Sequence, residues 1–405
     1  MKAVVFRDIG DIILDEVKDP ILEDQKDAIV RITTSAICGT DLHLVRGTMA
    51  GMKSGTVLGH EGVGVVEEVG REVKNIKVGD RVVIPSTICC GYCDYCKREI
   101  YSQCDNANPN GPDAGTAFYG ATKSSGPFNG LQAEKARIPF ADANLVKIPE
   151  NITDEEAILV SDILPTAYMA VELADPQPED RIAVFGCGPV GQLVIACLKK
   201  LNVKTIFAID RVPSRLEMAK KQGTYTLNFD TDNIEKELKK LTSQKGPDKI
   251  IDAVGVDAEH PHCCSMPFFK SLMHQGEFSK EQRDVAPNIH PSDGNWVPGS
   301  APSQVLDWAV KTVAKAGIIS IIGVYPEQMR SFMIGKAMGK NLTLRMGNCN
   351  HRAYIPKLLK WVQEGSFNPL PFITQKLAFN EVIDAYKCFD KREDNWIKVV
   401  LTVQE

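Results

Sequence analysis

The run RIAVFGCGPVGQLVIACLKKLN at 181–202 constrains the fold more than any other: an apolar strand, a turn holding three glycines, then an amphipathic helix. Gly186, Gly188 and Gly191 keep the spacing G-x-G-x-x-G, and Pro189 and Val190 open the helix. The first glycine permits a tight turn. The second lets backbone approach a pyrophosphate at the helix N-terminus, and the third lets helix and strand pack closely. Three glycines alone are a weak signal; set between a strand and a helix they become a strong one. Nineteen residues beyond Gly191, at the end of the strand TIFAID, Asp210 is placed to accept hydrogen bonds from the ribose hydroxyls of NAD and to repel a 2′-phosphate. Arg211 beside it favours NADP, but the carboxylate is expected to dominate, so NAD is the expected cofactor. The competing reading is a glycine-rich turn beside a solvated aspartate.

The texture around this turn alternates strand and helix. PSRLEMAKKQG reads as a helix, and KIIDAVG, GIISIIGVY and NLTLRMG as further strands, which implies a doubly wound parallel sheet of the Rossmann type. From 1 to about 150 the chain instead shows short alternating segments, DAIVRITTSAI, GVGVVEEVG and DRVVIP, separated by Gly, Asp and Pro, and reads as a small β-barrel. The opening MKAVVFRDIGDIILDEV reads as an alternating strand. At 405 residues two domains are expected. The expected boundaries are 1–152, 153–348 and a tail, 349–405, whose closing strand WIKVVLTV returns to the first domain. Residues 257–303, rich in Pro, His, Asn and Ser, read as an inserted loop and a candidate cofactor or interface element.

A net charge of −5 without runs of like charge argues against nucleic acid or a membrane surface and leaves small molecules as partners. No apolar run approaches the ~20 residues that span a bilayer, and a cytoplasmic setting is expected. Reduced thiols are the rule there, so twelve cysteines point to metal or buried roles more than to disulfides.

Five of those cysteines lie in CCGYCDYCKREIYSQC at 89–104. Cys90, Cys93, Cys96 and Cys104 have the spacing C-x2-C-x2-C-x7-C, which can wrap four thiolates around one zinc. Such a shell is closed to water and substrate, so its expected role is to hold a lobe together, with Cys89 left over. Thiols without metal and an iron–sulfur cluster are the alternatives. HPHCC, with His260, His262, Cys263 and Cys264, is a weaker metal candidate against an ordinary loop, and Cys187 in the glycine turn is a reactive thiol or a small filler.

CGTDLH at 38–43 and GHEGVGVVEEVG at 59–70 complete the pattern. The signature G-H-E-x2-G-x5-G, met by Gly59, His60, Glu61, Gly64 and Gly70, resembles that of the zinc-dependent medium-chain alcohol dehydrogenases, and the likeness runs over nearly the whole chain. The resemblance implies a GroES-like barrel domain beside the Rossmann domain, with the active site in the cleft. It implies Cys38 and His60 as catalytic zinc ligands and draws a third from LVSDILPTAYMA. There this chain offers Asp162 where many relatives have cysteine, as the glutathione-independent formaldehyde dehydrogenase branch does; a helix cap is the competing role. Thiolate, imidazole and carboxylate would leave zinc formally neutral with one position open.

The same resemblance gives Thr40 and His43 a proton relay, Asp41 the orientation of His60, and Glu61 a place behind the metal. It implies NAD, two zinc ions per subunit, and a homodimer or homotetramer. The expected activity is hydride transfer between NAD and an alcohol/aldehyde or ketone pair. Formaldehyde dehydrogenase or dismutase activity and polyol or amino-alcohol oxidation are alternatives within the family, and a silent NAD- and zinc-binding protein is the alternative outside it.

Overall fold

Strand Arg181–Phe185 is buried at four of its five residues, which requires cover on both faces. A computed structural model, describing residues 1–111, 113–261 and 268–403, shows how this is met. Six parallel strands form one sheet in the order Tyr225–Asn228, Thr205–Asp210, Arg181–Phe185, Lys249–Asp252, Ile318–Ile321, Thr343–Met346. The chain starts mid-sheet, winds to one edge, returns and winds to the other, which is the doubly wound order. Helix Pro189–Lys200 begins directly after the glycine turn, with Pro189 at its first turn, where no intrahelical donor is lost. Gly186 has φ +87°, and a Cβ on Gly191 would lie 1.8 Å from the Gly186 carbonyl oxygen, so strand and helix close only over glycine.

These strands belong to a unit of residues 166–288 and 297–347; the other unit comprises 1–165, 289–296 and 348–405. In that other unit strand Ala28–Ile37 is central. It pairs antiparallel with Gly62–Val69, Lys135–Ile138 and the tail strand Val399–Thr402. Two register shifts against Gly62–Val69 bend the long strand. Val30, Ile32, Ile37, Val66, Val82, Ile84, Val399 and Leu401 gather in its core. The first residues form two paired strands, Lys2–Asp8 and Asp11–Glu16, where one alternating strand was expected; Gly10 at φ +76° makes the turn.

The stretch 257–303 differs from the expected loop. It contains the helix Phe268–Val285, whose Lys, Gln, Glu, Leu and Met are good helix formers hidden among flanking Pro and His residues. Residues 289–296 pack with the first unit: Asp390 accepts from the Trp296 N–H at 2.7 Å and from Arg46 Nε at 2.8 Å, fixing the residue that caps helix Gly39–Val45. Among the described residues no single helix is long and apolar enough to cross a membrane.

Replacing Gly191 by alanine should lower stability by about 1–3 kcal/mol, the usual penalty of overpacking. Denaturant unfolding checks this, and an unchanged midpoint would mean the turn has room that the geometry denies.

Candidate metal centre

Cys38 lies in extended backbone (φ −116°, ψ 158°) where strand Ala28–Ile37 turns into helix Gly39–Val45. Asp41, in the first turn, joins two elements. Its Oδ2 accepts the Cys38 N–H at 3.0 Å and its Oδ1 accepts from His60 Nδ1 at 3.0 Å. That bond fixes the ring so that Nε2 faces inward. There Nε2 is buried and has no hydrogen-bond partner among the described residues. It lies 3.6 Å from Asp162 Oδ2, and Cys38 Sγ is 3.7 Å from the same oxygen. Ligands about 2.1–2.3 Å from a tetrahedral ion sit roughly 3.4–3.8 Å from one another, so thiol, imidazole and carboxylate have the spacing of a zinc set.

Asp162 follows helix Asp154–Ser161, and its other oxygen, Oδ1, takes Ser86 Oγ at 2.9 Å and His351 Nε2 at 2.7 Å. The carboxylate is thus turned to the cluster and its neighbours. Burial pushes the Cys38 thiol up, with the Asp162 charge adding to it. Burial opposes charge on His60, yet Asp41 and Cys38 hold its affinity for a proton well above the ordinary histidine range. The field that draws a proton onto this imidazole would equally draw a divalent cation. Burial also opposes charge on Asp162, but the His351 contact and the nearby His60 imidazole override it, holding the carboxyl well below its usual range.

Glu61 completes the group of buried side chains whose donor atoms lie within 4.8 Å of one another. Lys398 meets it from the tail, Nζ lying 2.6 and 2.7 Å from the two carboxylate oxygens and 3.1 Å from the Ile37 carbonyl. Both side chains are wholly buried. Burial pushes the Glu61 carboxyl up to about 7 although Lys398 pulls it down. Thr40, half-buried, and His43, buried, lie three apart on helix Gly39–Val45 and share a face.

The second cluster is Cys90, Cys93, Cys96 and Cys104. Cys90 Sγ is 3.9 Å from Cys96 Sγ, and Cys93 Sγ is 3.9 Å from Cys104 Sγ. These separations exclude disulfides at ~2.05 Å and match the ~3.8 Å edge of a tetrahedron with Zn–S arms of about 2.3 Å. Backbone N–H groups of Tyr92 and Cys93 point at Cys90 Sγ, and that of Cys90 at Cys104 Sγ. Burial opposes the Cys93 thiolate, but such N–H bonds outweigh it and bring the thiol to about 7. Cys89 lies beside the cluster, its thiol 3.3 Å from Asn144 Oδ1 and close enough to Cys96 to push that thiol up.

Comparison with known proteins decides the family. Residues 24–150 match the model of the alcohol dehydrogenase GroES-like domain, and 189–266 match the zinc-binding dehydrogenase model. A zinc-type alcohol dehydrogenase-like protein of Bacillus subtilis is 35% identical over 350 residues, 85% of this chain and 84% of that protein. The chain belongs to the zinc-type alcohol dehydrogenase family. Among solved structures, an alcohol dehydrogenase from Thermus sp. ATN1 superposes with a TM-score of 0.80 at 32% identity over the whole of both chains. A glutathione-independent formaldehyde dehydrogenase of Pseudomonas aeruginosa is 36% identical over 211 residues, 51% of this chain and 52% of its own. As a zinc-type alcohol dehydrogenase, the chain is an oxidoreductase of CH–OH groups that uses zinc and a nicotinamide cofactor.

In this zinc-type alcohol dehydrogenase the nucleotide turn has Gly186, Gly188, Pro189, Val190 and Gly191 at the start of their helix. Asp210 accepts from the Cys187 N–H at 2.7 Å and from the Arg211 and Val212 N–H groups at 2.7 and 2.9 Å, so its charge is fixed beside the turn. Arg211 is ion-paired with Glu259. Cys187 is buried, and burial pushes its thiol well up, which suits a filler rather than a reactive thiol. His260 Nδ1 lies 2.8 Å from the Pro261 carbonyl, while His262, Cys263 and Cys264 fall outside the described residues.

Sequence reasoning missed Ser86, His351 and Lys398. Only Lys398 left a signal, a lone cation inside the apolar strand WIKVVLTV. Replacing it by methionine strands the Glu61 charge and should destabilise the enzyme by about 3–5 kcal/mol. Adding Glu61→Gln should recover most of that loss in denaturant unfolding. A single variant within about 0.5 kcal/mol of wild type would show that the pair bears no charge.

Proposed function

We propose that this chain interconverts a small alcohol and its aldehyde or ketone, with NAD as hydride carrier and two zinc ions per subunit. One zinc would be held by Cys38, His60 and Asp162, the other by Cys90, Cys93, Cys96 and Cys104. The observation that carries the reading is the buried Nε2 of His60, without a hydrogen-bond partner among the described residues and 3.6 Å from Asp162 Oδ2, with Cys38 Sγ 3.7 Å from that same oxygen. Cys38, Asp162 and neutral His60 offer two negative charges to a divalent ion and leave a fourth position open. A zinc there supplies a Lewis acid that lowers the pKa of an alcohol hydroxyl toward neutrality.

The chain's own groups do the rest. Asp41 keeps the Nδ1 proton of His60, so Nε2 presents its lone pair. Thr40 takes the hydroxyl proton of the substrate, and His43, on the same face of the helix, passes it outward. With that proton gone, the carbinol C–H leaves as hydride to the nicotinamide ring. Glu61 holds Lys398 beside the cluster and keeps a positive charge buried behind it. Gly188 and the start of helix Pro189–Lys200 would receive the pyrophosphate. The fixed negative charge of Asp210 favours ribose hydroxyls over a 2′-phosphate, and Glu259 offsets Arg211, the cation that would otherwise attract that phosphate.

Asp162 in the third ligand position and the half-length likeness to the Pseudomonas enzyme support a second reading, formaldehyde oxidation or dismutation. The free thiols of the chain suit a reducing cytoplasm, and a homodimer or homotetramer is the assembly proposed.

A screen of primary, secondary and polyol alcohols and of formaldehyde, read by NADH absorbance, tests the activity. Dismutation would convert two formaldehydes and one water to one formate and one methanol without net NADH. Two zincs per subunit should fall to one in Asp162→Ala, with activity lost by at least about 100-fold. Unchanged zinc and turnover would remove Asp162 from the site. Asp210→Ser should move the ratio of kcat/KM for NAD over NADP toward NADP by about 10-fold or more, and an unmoved ratio would assign the selection elsewhere.

A further inference from the structure

We infer that His351 is a positioning residue for the metal centre: with Ser86 it ties down one oxygen of Asp162 and so holds the other toward Cys38 and His60. The inference rests on the reading of Asp162 as a zinc ligand. An aspartate turns readily about its last torsion, since that rotation is broad, so an unrestrained carboxylate would sample one-oxygen, two-oxygen and detached arrangements at a metal. Here the choice is made for it. Oδ1 takes the Ser86 hydroxyl at 2.9 Å and His351 Nε2 at 2.7 Å. Two donors fill the two lone pairs of that oxygen, which leaves Oδ2 as the donor atom, 3.6 Å from His60 Nε2 and 3.7 Å from Cys38 Sγ.

The imidazole is itself fixed at both nitrogens. Its Nδ1 lies 3.2 Å from Thr87 Oγ1, and the ring is buried. Thr87 belongs to the short strand Thr87–Ile88, paired with Ala117–Phe118, and Phe118 packs against the His60 ring with centroids 4.9 Å apart. His351 opens the helix His351–Gln363, and Asn350 just before it accepts the Ser102 N–H at 2.9 Å, from the lobe that carries Cys96 and Cys104. The ring is therefore anchored to the strand bearing Ser86's neighbour and, through its helix, to the four-cysteine lobe.

Release of zinc from the holoenzyme to a chromogenic chelator tests this in wild type, His351→Leu, His351→Gln, Thr87→Val and Asp162→Ala. One zinc per subunit should leave His351→Leu about 10–100-fold faster than wild type while the other keeps its rate. Glutamine, which retains an N–H donor, should restore part of the difference, and Thr87→Val should fall between. With cobalt in place of the faster zinc, the visible ligand-field bands of His351→Leu should shift, which simple loss of stability would not cause. Wild-type release from His351→Leu, or from both His351→Gln and Thr87→Val should the leucine chain not fold, overturns the inference if Asp162→Ala still loses one zinc. Asp162→Ala retaining both zincs overturns the ligand reading and the inference with it.

Discussion

The hydrogen bond from His60 Nδ1 to Asp41 is the contact on which the metal centre depends. It decides which nitrogen carries the proton and which faces the cluster. The same aspartate receives the Cys38 N–H at the start of the helix that carries Thr40 and His43. One side chain thereby fixes the ring of one proposed ligand, the backbone of a second and the helix that bears the proposed proton relay. Removing it would loosen all three together, which is why the positions of Cys38, His60 and the helix cannot be adjusted one at a time.

Around that bond the buried charges are balanced in layers. Cys38 and Asp162 meet at the His60 imidazole, whereas Glu61, within 4.8 Å of them, has its own counter-charge in Lys398. Acidic groups gathered in a dry site are costly unless donors or a cation join them, and here His60 and His351 meet Asp162. At the four cysteines backbone N–H groups are aimed at the sulfurs of Cys90 and Cys104, yet burial still pushes those two thiols up, and only Cys93 is brought down. The two candidate metal sites thus differ in character: one offers four sulfurs, the other mixed sulfur, nitrogen and oxygen donors.

Much of this was legible along the chain, and the reason is locality. The glycine turn between strand and helix, Asp210 at the end of the next strand, the four clustered cysteines and Cys38 near Thr40 and His43 are short-range patterns. What could not be read is what the tail brings in. Lys398 is 337 residues from Glu61, and His351 meets Asp162 only after a complete nucleotide-binding sheet has intervened. No periodicity in a single sequence marks such a meeting. The helix Phe268–Val285 escaped for another reason: its helix-forming residues sit among prolines and histidines that read as loop, and the long-range packing of Phe278 and Val285 is not visible in composition.

The central claim is that Cys38 is the sole sulfur ligand of the reactive zinc, with His60 and Asp162 beside it. Zinc-edge X-ray absorption of the holoenzyme counts this directly. Four sulfurs at one zinc and one at the other should give an average of about 2.5 sulfurs per zinc at roughly 2.3 Å, with nitrogen and oxygen near 2.0–2.1 Å supplying the rest. An average near four sulfurs, or a single zinc bound only by sulfur, would contradict the account.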